Sequence, residues 1–370
     1  MLETSRLTPI QGRSIHSLMK DLEHEQLVFC NDASTGLTAI IAIHNTVLGP
    51  GMGGTRFWNY VSEEEAIMDV LRLSRGMTFK NSIAGLNAGG GKAVIIGDPS
   101  IKSEALLRRF GRFIESLSGR YVTAEDVGMN ARDMEFIGME TSHSTGGPEL
   151  AGGSGDPSPV TAYGVYMGIK AAAKKTYGSD DLNDKVIFVQ GVGHVGSQLV
   201  KLLVKESAKV LISDINKEKA DHVASQYNVI VVEPMSELDF PMDIYSPCAL
   251  GATLNSSSIP KLKCQIVAGG ANNQLEDEEL HALQLREADI LYAPDFLINS
   301  GGITNVYLEY TGNYSRELAY QKTEGIYQTC LDLIQEAEIS GATTHQVAVL
   351  MAKKRIASME SVKSSFQSRI

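Results

Sequence analysis

Cysteine is scarce in this sequence. The four present (Cys30, Cys248, Cys264 and Cys330) lie far apart, with no C-x-x-C pair and no histidine at ligand spacing. That excludes a disulfide framework and a structural zinc site, and it fits a reducing compartment. Uncharged apolar runs of the roughly 18 residues needed to cross a bilayer are missing. The opening stretch, MLETSRLTPIQGRSIHSLMKDLEHEQ, has no apolar core of the ~7–15 residues that a secretory signal carries. Concentrated positive charge is also lacking: 33 Lys+Arg stand against 44 Asp+Glu, for a net charge of −11. Such a chain repels phosphate backbones unless a local patch is strongly basic. The densest cationic stretch is Lys353, Lys354 and Arg355, which reads as a solvated helix face. The expectation is a cytoplasmic protein with no nucleic-acid partner, no membrane partner and no metal.

What the sequence does have is glycine, 35 of 370 residues, about 9% against a usual ~7%. With 43% hydrophobic and 21% charged residues, the rest of the composition is that of an ordinary globular protein. The length suits two domains better than one. The glycines are clustered, and the clusters carry the chemistry.

LVFCND (27–32) and LTAIIAIHN (37–45) read as a β-hairpin, followed by the glycine-rich loop GPGMGGTRFWNY (49–60). Ser62 and Glu65 form a capping box that opens a helix with an apolar face at Ala66, Val70, Leu73 and Met77. A second glycine cluster, AGLNAGGGKAVIIGDP (84–99), leads into a strand at Ala93–Ile96. Residues 103–117 read as a helix, and YVTAEDVG (121–128) as a strand ending in acidic residues. GGPELAGGSGDP (146–157) has the composition of a linker, and Ser158 with Pro159 then makes an N-cap and first-turn pair for a long helix. Beyond it strands and helices alternate: strand Val186–Gln190, helix 194–206, strand Val210–Asp214, helix 217–226, strand Val229–Val232, then strands near Ile244, Ile266 and Ile290. That alternation predicts an α/β fold with a parallel sheet and crossover helices. From about 317 the tail is helical.

Within this part, Gly191-x-Gly193-x-x-Gly196 follows an apolar strand and opens a helix, and Asp214 ends the next strand. This is the context a dinucleotide fingerprint requires. Gly191 serves the tight turn, Gly193 lets backbone approach a pyrophosphate, and Gly196 lets helix and sheet pack closely. Val192, His194, Val195 and Ser197 would then bring the helix N-terminus to the phosphates. Asp214, followed by Ile215, would accept hydrogen bonds from the ribose and repel a 2′-phosphate, favouring NAD over NADP.

In the first half two lysines stand out, Lys80 in RGMTFKN and Lys92 in AGGGKAV. A phosphate-loop reading of GGGK fails, because Leu86 and Ala93 occupy positions where the motif needs glycine and Ser/Thr. Asp126, in TAEDVG, could reach the same place, or could equally cap a helix or pair across a loop. Two lysines and a carboxylate beside NAD suit oxidative deamination. One cation holds an α-carboxylate, one lysine with its pKa lowered by burial and a like charge activates water, and a carboxylate moves the amine protons. Spacing leaves open which lysine takes which role.

The segments GPGMGGTRFWNY, EEEAIMDVLRLSRGMTFKNSIAGLNAGGGKAVIIGDP, GRYVTAEDVG, SGDPSPVTAYGVYMGIKAAAK, VQGVGHVG, SDINKE, SPCALG, AGGANNQL and YAPDFLINSGGITNV together resemble the glutamate/leucine/phenylalanine/valine group of amino-acid dehydrogenases, from about Glu25 to about Ala357. The resemblance implies an α/β substrate domain, residues 1–147 completed by helices of about 335–370. It implies a Rossmann-type NAD domain at 148–334, divided from the first by a cleft. It also assigns Lys80 to the carboxylate, and Lys92 and Asp126 to catalysis. Gly53, Gly54 and Asn273 fall at the substrate, while Thr161, Ala249, Asn272 and Asn299 touch the cofactor. The side-chain wall would be Met52, Ala124, Ile303 and Val306.

Four apolar residues and no cation argue against a glutamate side chain, which would need a partner on burial. Some positions depart from the family pattern: Met52 where the leucine-specific members have leucine, Ser300 for alanine, Gly270 for serine and Asn272 for aspartate. The implied activity is NAD-dependent oxidative deamination of an apolar L-amino acid, branched-chain first. The alternatives are an aromatic substrate or a catalytically silent NAD-binding protein. The family is oligomeric, so a homo-oligomer is expected, with no number selected.

Overall fold

The computed structural model describes residues 14–149, 152–232, 238 and 240–363. The chain forms two compact units. Among the described residues, the first runs from Ser14 to Pro157 and is rejoined by Ile303–Arg316 and by Met351–Lys363. The second is built from Ser158–Gly302 and Glu317–Leu350.

In the first unit, α1 (Ile15–Asp21) precedes β1 (Gln26–Asp32) and β2 (Leu37–Asn45), an antiparallel hairpin paired from Gln26↔Ile43 to Asp32↔Leu37. Its turn is closed by the Asp32 carboxylate, which accepts from the Ser34 hydroxyl and from both the Thr35 amide and hydroxyl. β3 (Gly51–Met52) and β4 (Thr55–Trp58) follow, then α2 (Glu63–Ile83) and β5 (Gly89–Ile96). α3 (Glu104–Glu115), β6 (Tyr121–Val122) and α4 (Ala131–Gly138) complete the elements of this segment. The sheet order is β1-β2-β5-β3-β6, with β4 also on β5. The β1–β2 and β2–β5 pairs are antiparallel; the pairs that β3 makes with β5 and β6, and β4 with β5, are parallel. β5 is therefore central and almost wholly buried. One face packs through Ile41, Phe57, Ile95 and Tyr121 against Leu106, Leu107, Phe110 and Ile114 of α3, the apolar stripe of an amphipathic helix.

Three sequence expectations need correction here. β5 begins at Gly89 rather than Ala93, so the glycine run is itself strand. The reason is close packing: a Cβ on Gly90 would lie 2.0 Å from Thr78 Oγ1 and 2.4 Å from the Ser74 carbonyl oxygen, so α2 approaches where only glycine fits. The strand expected over 121–128 is regular only at Tyr121–Val122. Beyond it the amides of Thr55 and Phe57 still donate to the carbonyls of Ala124 and Val127, but Gly128 turns the chain at φ +80. Ser62 caps α2 by accepting from the Glu65 amide, whereas the Glu65 carboxylate takes the Val61 amide instead of closing the box on Ser62.

In the second unit α5 (Ser158–Tyr177) starts at Ser158 itself, which is thus a first-turn residue and not the cap. Then come β7 (Val186–Gln190), α6 (His194–Lys205), β8 (Lys209–Ser213), α7 (Lys217–Tyr227), β9 (Ile230–Val231), β10 (Ile244–Pro247), β11 (Ile266–Val267), α8 (Glu278–Glu287), β12 (Leu291–Tyr292) and α9 (Asp295–Ile298). All six strands are parallel in the order β12-β11-β10-β7-β8-β9. This is the doubly wound arrangement the alternation predicts, with its switch point between β7 and β10. Phe188, Tyr245, Leu254, Val267, Leu285 and Tyr292 lie in its core.

α10 (Gly301–Tyr310), α11 (Arg316–Ser340) and α12 (Thr344–Lys363) end the chain. The glycine-rich stretch read as a linker is tied to α10: Glu309 Oε2 accepts from the amides of Gly146 and Ser154, each at 2.9 Å. The passage between units thus lies at Pro157/Ser158, and the segments that rejoin the first unit are 303–316 and 351 onward. Arg355 is no solvated cation. From α12 its guanidinium donates to the carbonyls of Ser82, Gly85 and Leu86 and to Asn87 Oδ1, closing the C-terminal end of α2, where a cation also complements the helix dipole.

Candidate active site

Two strands leave β5 partly unpaired at one point. β3 pairs with it at Gly89–Gly90 and β4 from Ala93 to Ile96, so Gly53 and Gly54 pass opposite Gly91 and Lys92. A Cβ on Gly53 would lie 2.0 Å from the Gly91 carbonyl oxygen; one on Gly54 would lie 2.5 Å from that of Glu125 and 3.0 Å from Asp126 Cβ. The glycines thus bring three backbone segments together around the Lys92 side chain, which is almost wholly buried at 6% exposure. Lys92 Nζ donates to Asp126 Oδ2. The other oxygen, Oδ1, accepts from the Val127 amide at 2.5 Å and stands 3.5 Å from Arg56 Nε.

Arg56, on β4, also reaches Asp69 of α2, with Nη1 3.0 Å from Oδ2. The same Asp69 oxygen accepts from the Tyr60 hydroxyl at 2.6 Å. Burial, then the Asp69 charge, pushes the Tyr60 hydroxyl far up, so it stays a donor. Burial holds the Lys92 amine well below its ordinary range; the Arg56 charge lowers it further, Asp69 opposes, and Lys80 lowers it again. Lys80, in the last turn of α2, is therefore near enough to be felt by Lys92. The lysine–lysine coupling expected from sequence is present, but burial and Arg56 exceed it. Arg56, Asp69 and Tyr60 escaped the sequence reading, although a lone arginine inside GPGMGGTRFWNY was a visible signal.

The expected wall residues are gathered: Met52, Ala124, Ile303 and Val306 lie in one buried apolar cluster with Leu86, Ala88 and Val122. Asn81 fixes the backbone beneath it by donating from Nδ2 to the Met52 and Gly89 carbonyls.

The second unit holds the other expected positions. Gly191 (φ +95) turns the chain after β7, and its amide donates to the Ser213 carbonyl at 2.7 Å. Gly193 is the N-cap of α6 and makes no side-chain cap bond; a Cβ there would meet nothing within 4 Å. Val192 precedes this end, and His194, Val195 and Ser197 lie in the first turn of α6. Gly196 is tightly enclosed: a Cβ there would sit 2.0 Å from the Gly191 carbonyl oxygen. Asp214 follows β8 and accepts from the Val192 amide at 2.9 Å and the Asn216 amide at 2.8 Å. Ile215 beside it is 96% exposed. Asn299 donates to Asn272 Oδ1 at 2.9 Å, and its own Oδ1 is buried with no hydrogen-bond partner. Thr161 lies in the first turn of α5, while Ala249, Asn272 and Asn273 lie on loops after β10 and β11. The open helix end, the enclosed turn, the strand-end carboxylate and the orphaned Asn299 oxygen fit a dinucleotide.

Residues 24–143 match the family described as Glu/Leu/Phe/Val dehydrogenase, dimerisation domain, and residues 152–218 and 211–368 match Glutamate/Leucine/Phenylalanine/Valine dehydrogenase. The chain belongs to the Glu/Leu/Phe/Val dehydrogenase family. It is 52% identical to leucine dehydrogenase of Thermoactinomyces intermedius, over 95% of this chain and 96% of that one. It is 50% identical to leucine dehydrogenase of Bacillus cereus, over 95% and 96%. The crystal structure of L-tryptophan dehydrogenase from Nostoc punctiforme superposes with a TM-score of 0.80 at 42% identity, covering 94% of this chain and 99% of that one.

As a member of the Glu/Leu/Phe/Val dehydrogenases, the chain accommodates its departures locally. The Ser300 hydroxyl is buried but donates to the Leu297 carbonyl at 2.6 Å, so the extra polar group is satisfied. Asn272 offers Asn299 an acceptor oxygen as an aspartate would. Gly270 leaves room for the Val195 side chain, since a Cβ there would lie 2.9 Å from Val195 Cγ1, and its amide donates to the Cys248 thiol at 3.3 Å.

Proposed function

We propose that this dehydrogenase catalyses the reversible, NAD-dependent oxidative deamination of an apolar L-amino acid, L-leucine and other branched-chain amino acids foremost, to the 2-oxo acid and ammonia. The observation that carries the reading is the buried Lys92–Asp126 pair, in the same unit as the apolar set Met52, Ala124, Ile303 and Val306. Lys80 holds the α-carboxylate. Gly53 and Gly54 keep the approach to Lys92 free of side chains. Lys92, its amine held well below the ordinary lysine range by burial and then by the Arg56 charge, takes a proton from the water that adds to the oxidised α-carbon. Asp126 shares that proton through its hydrogen bond to Nζ and delivers it to the departing amine.

NAD, when bound, supplies the hydride acceptor. Gly191, Val192, Gly193, His194, Val195, Gly196 and Ser197 hold its pyrophosphate. Asp214 and Ile215 take the adenosine ribose, and Thr161, Ala249, Asn272 and Asn299 the nicotinamide side, with Asn273 toward the substrate. A carboxylate at 214 selects against a 2′-phosphate.

The apolar cluster carries no cation, which disfavours a substrate with a charged side chain. A second reading, an aromatic amino acid, draws on the likeness to L-tryptophan dehydrogenase. Among the described residues no helix is long and apolar enough to cross a membrane. We also place the protein in the cytoplasm as a homo-oligomer. Four free cysteines and a matched N-terminal region described as a dimerisation domain support this.

The test is a panel of L-amino acids assayed for cofactor reduction with NAD and with NADP. Leucine, isoleucine and valine should lead, with NAD. Activity confined to phenylalanine or tryptophan would favour the second reading, and no reduction with any amino acid would overturn both.

A further inference from the structure

We propose that Arg56 is the positioning residue of the acid–base pair: its guanidinium ties the Asp126 carboxylate to Asp69 of α2 and so fixes the orientation in which Asp126 meets Lys92. The inference rests on the roles given above to Lys92 and Asp126.

The connections form a continuous path. The Tyr60 hydroxyl donates to Asp69 Oδ2, Arg56 Nη1 donates to the same oxygen, Arg56 Nε faces Asp126 Oδ1 at 3.5 Å, and Asp126 Oδ2 accepts from Lys92. Arg56 and Asp126 are largely buried, with side-chain exposures of 15% and 17%. The backbone supplies the register. Arg56 pairs with Val94 on β5, two residues from Lys92 on the same strand, and Thr55 bridges Glu125, the residue before Asp126. A carboxylate can rotate about its terminal torsion over a broad range. Here one oxygen accepts from the Val127 amide and faces the Arg56 guanidinium as an ion pair at 3.5 Å, with the Arg56 Nε proton buried and making no hydrogen bond, and the other oxygen is left to Lys92. Arginine suits this place because its planar fork addresses two carboxylates at once and never gives up its proton.

Charge balance gives the same assignment a second consequence. The groups bearing on Lys92 are Arg56 of β4, Asp69 and Lys80 of α2, and Asp126 from the loop after β6, with neutral Tyr60 behind Asp69. With Lys92 protonated, three cations face two carboxylates; with Lys92 neutral, two face two. Arg56 thus favours the neutral amine that the chemistry needs, and Asp69 restrains the effect.

The opposite signs of these two charges make a test that a merely structural role does not satisfy. The pH profile of kcat/KM for L-leucine and NAD is measured for wild type, Arg56→Gln, Arg56→Lys and Asp69→Asn, with Lys92→Ala as reference. Arg56→Gln should move the acidic limb to higher pH and lower kcat about a hundredfold, the size of loss that a small misplacement causes. Asp69→Asn should move the same limb to lower pH. Arg56→Lys keeps the charge without the fork, so its limb should stay near wild type while kcat falls. If Arg56→Gln fails to fold, Asp69→Asn and Arg56→Lys still decide. Limbs that coincide with wild type, or that shift in one direction for both charge removals, would overturn the assignment of Arg56. Retained turnover in Lys92→Ala would instead overturn the role of Lys92, whatever Arg56 does.

Discussion

Lys92 Nζ is hydrogen-bonded to Asp126 Oδ2 across 34 positions of sequence, within a sheet whose strands leave the lysine unpaired on one side. The pairing exists because Gly53 and Gly54 occupy the gap between β3 and β4 without side chains. Gly53→Ala would place a methyl group 2.0 Å from the Gly91 carbonyl oxygen. Such a contact forces backbone movement, at a cost of about 1–3 kcal/mol or more. Thermal unfolding should show a lowered midpoint, and turnover should fall more steeply than stability because the shift lies next to Lys92.

In the second unit, Asp214 stands after β8 with both oxygens accepting backbone amides, from Val192 and Asn216. Asp214→Ser removes the charge that repels a 2′-phosphate and loosens the glycine turn. NAD affinity should fall roughly tenfold or more, the worth of a charge-assisted hydrogen bond, while NADP gains relative to NAD. Titration of each cofactor against the variant checks this. An unchanged ratio of the two affinities would remove Asp214 from cofactor choice.

Much of this was readable in the chain itself. The Gly191–Gly193–Gly196 turn, Asp214 and the alternating elements are local patterns, and the parallel sheet realises them almost residue for residue. The strand ending at Val122 was less readable. After that point the chain is shaped by pairing with Gly53, Thr55 and Phe57, seventy or so residues earlier in sequence, and not by its own propensity. Arg355 looked like surface charge because its acceptors, the carbonyls ending α2, are some 270 positions away. Arg56 and Asp69 are only 13 positions apart, but an ion pair between a strand and the following helix leaves no periodic trace in the sequence.

The same unit carries a pH response unconnected with catalysis. His24 and His44 meet edge to face at 4.7 Å between ring centroids. Their ring nitrogens bond to the Leu71 carbonyl and Ser74 hydroxyl, and to Thr78 Oγ1 and the Leu22 carbonyl. Burial lowers both, to about 4 for His24 and about 3 for His44, from an ordinary 6.5. The folded state therefore binds fewer protons than the unfolded chain below pH 6.5, and stability is lost as pH falls from there toward those values. Glu125 works the other way. Raised by burial, then by Asp156 and Asp133, from 4.5 to about 7, it costs stability as pH rises across that interval. Replacing both histidines with glutamine should shrink the drop in melting temperature between pH 7 and pH 4, and Glu125→Gln should enlarge it. A drop unchanged by the histidine variants would show that the pair does not govern acid sensitivity.

The most direct measurement of the central claim is the rate of cofactor reduction by Lys92→Ala with L-leucine and NAD, taken beside its NAD affinity. The account predicts turnover lost by at least about a hundredfold, the lower range of a general acid–base contribution, with NAD bound as tightly as by wild type. Turnover near the wild-type rate in a variant that still binds NAD would contradict it.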